Sequence, residues 1–148
     1  MSTVLDSLLE QSDRAPLYEF CKKRIHKNNG EFSQILTYLY RTLMSNLSDF
    51  DLYHTIAQLY YDFGFYANAL EACLDILDAQ TAHIPTYMLL NKLYYQDQEP
   101  TTIINQFETA LQHDFWFPII IESLPKFYAD HGTHSDLAVF YDNWRQHN

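Results

Sequence analysis

Two histidines late in the chain have a spacing that could do chemistry. His131 and His134 flank Gly132 with two residues between them, so two imidazoles could share one turn, and Asp130 and Asp136 stand nearby. A zinc site takes three or four ligands, and no cysteine joins this group. Polar turn residues are the better reading, and no metal is expected. Cys21 and Cys73 are single thiols without C-x-x-C spacing, so no disulfide framework or zinc ribbon follows from them. Both sit among apolar neighbours and are expected to be buried and inert. The pairs Asp49/Asp51 and Asp75/Asp78 offer carboxylates for acid–base work. They fall on expected turns and helix surfaces, where solvation accounts for them. No G-x-S-x-G, P-loop or dinucleotide glycine pattern is present. The residues therefore point away from an enzyme and from any cofactor.

Charge narrows the partners. The formal net charge is −10, which gives no global attraction for nucleic acid or anionic membrane surfaces. The first 41 residues carry six cations against five acids, and the remaining 107 carry three cations against fourteen acids. Lys22, Lys23, Arg24 and Lys27 form one basic group. It reads as a solvated helix face, with Glu19 placed four residues before Lys23 to pair with it; attraction of an acidic partner segment or lipid headgroups is the alternative. No basic segment followed by an apolar stretch opens the chain. Apolar runs such as 115–121 are too short to span a bilayer. A soluble cytoplasmic protein is expected.

These side chains need a scaffold, and the three glycines mark its period. Gly30, Gly64 and Gly132 are separated by 34 and 68 residues, with Gln98 at the vacant lattice point. Four residues before each point stand His26, Tyr60, Tyr94 and Tyr128; eight before stand Lys22, Ile56, Leu90 and Leu124; nine after stand Leu39, Cys73, Phe107 and Tyr141. A 34-residue period is the mark of stacked helical hairpins. Tyr53, Ile56, Ala57 and Tyr60 repeat at helical spacing, as do Tyr66, Ala69, Leu70, Cys73, Ile76 and Leu77. Gly64 lies between the two runs, where the turn needs a residue that tolerates positive φ. Pro16, Pro85, Pro100 and Pro118 suit first helical turns, and Ser48 or Asp49 can cap the helix that follows.

The expected fold is all-α, with helices over 3–11, 16–28, 31–45, 50–63, 66–79, 84–97, 100–112, 118–130 and 134–146. Pro125 falls inside the eighth, where it should kink the helix or remove a hydrogen bond. Residues 1–15 are read as an N-terminal capping helix, and 16–148 as four units: 16–49, 50–83, 84–117 and 118–148.

The unit 50–83, with Tyr53, Ile56, Ala57, Tyr60, Gly64, Tyr66, Ala69, Leu70 and Ile76 in register, resembles the tetratricopeptide repeat. The resemblance implies a right-handed superhelical stack of antiparallel helix pairs, an α-solenoid. It also implies a concave groove, lined by the first helix of each pair, that takes a peptide or helix of a protein partner. By register the groove positions are His54, Gln58, Tyr61 and Asp62, then Met88, Lys92, Tyr95 and Gln96, then Glu122, Lys126 and Asp130. Phe20, Arg24 and Lys27 extend it. His54 could titrate near neutrality when a partner binds. Family members that clamp chaperone tails use a Lys–Asn pairing around a terminal carboxylate. The matching positions carry Phe20 and Arg24, or His54 and Gln58, which disfavours that role. Small acidic repeat proteins that chaperone secreted bacterial proteins agree in size and charge. Acids at Asp62, Glu122 and Asp130 oppose phosphate, which argues against RNA.

The functional expectation is a non-enzymatic adaptor or chaperone. A structural subunit acting through its repeat ends is the alternative. No polar helix follows the last apolar face, so Tyr141 and Trp144 are expected to meet a second copy, a partner or further chain.

Overall fold

The structure, a computed structural model, describes residues 2–132 and 134–147; Met1, which opens the expected capping segment, and Asn148, which closes the expected last unit, lie outside them. Every regular element among the described residues is helical. The chain divides into two units, Met1–Gln80 and Thr81–Asn148.

The first unit holds α1 (Ser2–Leu9), α2 (Ala15–Lys27), a 3-10 turn (Asn29–Glu31), α3 (Phe32–Ser45), α4 (Phe50–Asp62) and α5 (Tyr66–Ala79). Helix α4 packs against α2, α3 and α5, and this central position sets its buried arc. The tyrosine-based face expected from spacing is rotated: Leu52, Thr55, Ile56, Ala57 and Leu59 are buried, while Tyr53 and Tyr60 stay half-buried. A helix with neighbours on three sides buries more than one stripe. The Thr55 hydroxyl is satisfied by donating to the Asp51 carbonyl, 3.0 Å away.

Asp49 starts α4 by accepting from the Leu52 N–H at 3.1 Å. Its other carboxylate oxygen takes the Arg14 guanidinium at 2.6 Å. Arg14 also donates to the Leu9 and Gln11 carbonyls, so one side chain ties the end of α1 to the start of α4. Gly64 ends α4 at φ +86°. The Gly64 and Phe65 amides bond the Tyr61 and Tyr60 carbonyls at 3.2 and 2.8 Å, the two bonds of a Schellman turn.

The second unit holds α6 (Ile84–Tyr94), α7 (Pro100–Gln112), α8 (Pro118–His131) and α9 (His134–His147). Helix α8 packs against α6, α7 and α9. Tyr87, Phe107 and Phe127 are fully buried. Phe107 meets Tyr87 at 5.5 Å and Phe127 at 5.2 Å between ring centroids, and Tyr94 stacks on Phe127 at 3.9 Å. Such ring pairs each add about 1 kcal/mol beyond area burial.

One expectation about the backbone needs correction here. The helix expected over 84–97 stops at Tyr94, so Tyr95 and Gln96 occupy a turn. Asp97 is left-handed (φ 57°), and the Asp97 and Gln98 amides bond the Tyr94 and Leu93 carbonyls. This is the Gly64 turn again, one residue ahead of the vacant lattice point and without a glycine. Asp114 (φ 67°) closes α7 in the same way. Pro125 lies inside α8, which runs from Pro118 to His131; having no N–H, it leaves that helix one hydrogen bond short, as expected. The four other prolines stand in the first turns of α2, α6, α7 and α8 as expected.

Candidate functional site

Of the expected groove residues, His54, Gln58, Tyr61 and Asp62 lie on α4, Met88 and Lys92 on α6 with Tyr95 and Gln96 in the turn after it, and Glu122, Lys126 and Asp130 on α8. On α4, His54, Gln58, Tyr61 and Asp62 are all half-buried. Tyr61 packs its ring on Tyr66 at 5.3 Å. Asp62 is committed inward: it accepts from the Tyr18 hydroxyl and lies 3.8 Å from the Lys22 ammonium. Lys22 in turn sits over the Tyr18 ring at 5.6 Å. Of the proposed extension, Phe20 packs against the core and Arg24 pairs with Glu31 at 2.6 Å. The basic group is therefore not one idle face, because Lys22 and Arg24 both have acidic neighbours.

The second unit presents its positions to solvent. Met88 and Tyr95 are 52% and 56% exposed. Lys92, Gln96, Glu122 and Lys126 are exposed as well. Ile84, Met88 and Tyr95 lie within about 40° of one another around the axis projected from α6. This makes an apolar stripe flanked by Lys92. Tyr95 also reaches Phe127 of α8, edge-on at 6.4 Å.

Tyrosine–carboxylate bonds run through both units. Tyr18 donates to Asp62, Tyr38 to Asp6, Tyr53 to Asp75 (2.7 Å), Tyr94 to Asp130 (3.0 Å) and Tyr128 to Glu108 (2.7 Å). Each bond joins different helices. For Tyr18, Tyr53, Tyr94 and Tyr128, burial comes first and the accepting carboxylate second in pushing the phenol well above its ordinary range. Asp75, expected to be merely solvated, is thus a structural acceptor, while Asp49 caps α4 as expected. His131 belongs to the same pattern, its Nδ1 lying 2.7 Å from the Tyr94 hydroxyl. The thiols behave as expected: burial raises both Cys21 and Cys73 to about 12, so neither is a thiolate near neutral pH.

Sequence reasoning missed a cleft of about 490 Å³ among α7, α8 and α9. Glu108, Asp114, Asp136, Trp116, Tyr128, Phe140 and His147 contribute to its walls. Trp116 tilts over His147 at 4.6 Å and Phe140 at 6.0 Å. The indole N–H is sealed from solvent and meets no acceptor among the described residues, a cost of about 1–3 kcal/mol. Phe115, Trp116 and Phe117 read in sequence only as part of an apolar run. Their connection of α7 to α8 is what brings the indole to the cleft. At the chain's far helix, Val139 and Tyr141 are exposed and Trp144 is half-buried.

No protein-family model matches the chain, and no curated protein matches it in sequence. No described helix is long and apolar enough to cross a membrane.

Proposed function

We propose that this chain is a tetratricopeptide-like interaction module. In this reading it is four stacked helical hairpins that hold a peptide or helix of a partner protein along their first helices. Two features of the backbone support the repeat reading. Helices α4, α6 and α8 start 34 residues apart, at Phe50, Ile84 and Pro118, and α3, α5, α7 and α9 start at the same interval. The packing of α4 on α2 and α3 matches that of α8 on α6 and α7.

The observation that carries the binding reading is the exposure of Met88 and Tyr95 beside Lys92. Large apolar side chains at the centre of a mixed-charge surface are the usual anchors of a protein interface. Lys126 and Glu122 supply charge of both signs. The reading is non-enzymatic and cytoplasmic, as an adaptor or chaperone.

The test places a photo-crosslinking amino acid at position 95 and, separately, at position 139, in the organism that makes the protein. A discrete adduct from position 95, lost when Met88→Asp is added, supports the groove. Adducts from position 139 alone would favour the second reading, a structural subunit working through its last hairpin. Exposed Val139 and Tyr141 are what that reading rests on.

A further inference from the structure

We propose that the cleft among α7, α8 and α9 is a docking site for an arginine-bearing segment of a partner protein. Its walls hold the carboxylates of Glu108, Asp114 and Asp136 with no lysine or arginine among the lining residues. Glu108 receives a single phenol hydrogen bond, from Tyr128, and a carboxylate has room for about four. Acceptor positions remain on it for a further donor. Among the described residues Asp114 has an exposed contact, 3.3 Å from the His147 imidazole, with the two side chains 78% and 40% exposed.

The aromatic walls decide between cations. A guanidinium is planar, stacks on rings and bonds carboxylates in pairs, which a compact ammonium cannot do. Trp116, backed by the buried Phe140, supplies the face, and Glu108 and Asp136 the acceptors. The buried Trp116 N–H then needs an acceptor that the described chain does not supply. A peptide carbonyl beside the arginine provides one once the half-exposed His147 ring swings aside. Charge, stacking and the orphan donor all fit one ligand class.

This site stands apart from the α6–α8 face. Tyr128 lies about 200° round α8 from Lys126, so either assignment can fail without the other.

The experiment follows the indole N–H resonances of the full chain, with Trp144→Phe used to assign them. The probe is an acetylated, amidated Ala-Arg-Ala-Arg-Ala peptide, compared with the same peptide carrying citrulline for arginine. The arginine peptide should shift Trp116 saturably, and citrulline should bind about tenfold more weakly or worse. Glu108→Gln with Asp136→Asn should also weaken binding about tenfold. The amide oxygen of Gln still accepts from Tyr128, and thermal melting checks that the fold is kept. Asp114→Asn, at an exposed left-handed position that Asn tolerates, is the second variant and should weaken binding in the same direction. Asp13→Asn with Asp78→Asn removes equal charge elsewhere and should change nothing. Equal loss from both double variants, equal binding of the two peptides, or a silent Trp116 would each overturn the proposal. Self-association abolished by Lys23→Glu, with Trp116 silent to the peptide, would assign the cleft to a second copy instead.

Discussion

Tyr87 offers a pH test with a computable crossing point. Its side chain is 0% exposed, and its hydroxyl donates to the Thr81 carbonyl at 2.6 Å. Burial pushes the phenol up to about 12, against about 10 in an unfolded chain. A raised folded-state value means the native protein holds this proton when the unfolded chain has released it. The stabilisation is complete below about pH 10 and is lost between about pH 10 and 12, at about 1.4 kcal/mol per pH unit. Over the whole window the loss approaches about 3 kcal/mol. Tyr87→Phe removes the titration and the hydrogen bond together. Near neutral pH it should cost about 1 kcal/mol. The wild-type chain has lost about that much by roughly pH 11, so the two stabilities should cross there, with the variant the more stable above it. Every other tyrosine and both thiols titrate equally in the two proteins and cancel from the difference. Urea unfolding monitored by circular dichroism at a series of pH values measures it. Parallel curves that never approach one another would show that Tyr87 ionises as freely in the native state as in the unfolded one, and would refute the burial argument.

The glycines separate by magnitude. Gly64→Ala meets nothing within 4 Å but keeps φ +86°, so it should lose only about 1–2 kcal/mol of strain energy. Gly132→Ala would put a methyl 2.9 Å from the Tyr128 Cα; backbone must move, and it should lower the melting temperature more than Gly64→Ala does. Asp49→Ala removes a helix cap and the Arg14 partner, for about 1–2 kcal/mol in urea unfolding; Asp49→Asn keeps the cap and should recover most of it.

The helices were legible because their signals are local. Proline in a first turn, Asp49 before α4, and apolar residues three and four apart act within a few residues of where they are read. The end of α6 was not legible for a related reason. The lattice point at Gln98 carries no glycine, and a left-handed Asp97 does what Gly64 does one period earlier. Aspartate tolerates that backbone without announcing it. The three glycines that define the period also turn out to have unlike reasons for being there. Gly64 has a left-handed backbone, and Gly132 has a neighbour too close for a side chain. The rotated face of α4 needed knowledge of which helices flank it. The cleft needed more, because Glu108, Trp116, Tyr128 and His147 converge from three helices and a connection. Among the expected groove positions, Met88, Lys92, Glu122 and Lys126 face solvent, whereas Asp62 was drawn inward by Tyr18 and Lys22.

The tyrosine–carboxylate bonds change what the acidity of this chain means. A net charge of −10 with 12 tyrosines reads first as a surface waiting for a basic partner. Yet Asp6, Asp62, Asp75, Asp130 and Glu108 each accept a phenol from another helix. A phenol is a neutral donor. It fastens helix to helix without cancelling the charge it binds, so each such latch leaves the acid excess unreduced. Much of the acidity is therefore the by-product of how the hairpins are fastened, and net charge alone cannot identify a binding face. What separates Glu108 from the rest is its setting: an aromatic-walled cleft, a second and third carboxylate in the same walls, and a buried indole donor without an acceptor. Asp75 is an exposed acid latched by the same chemistry. If charge alone governed binding, basic peptides would be drawn to both.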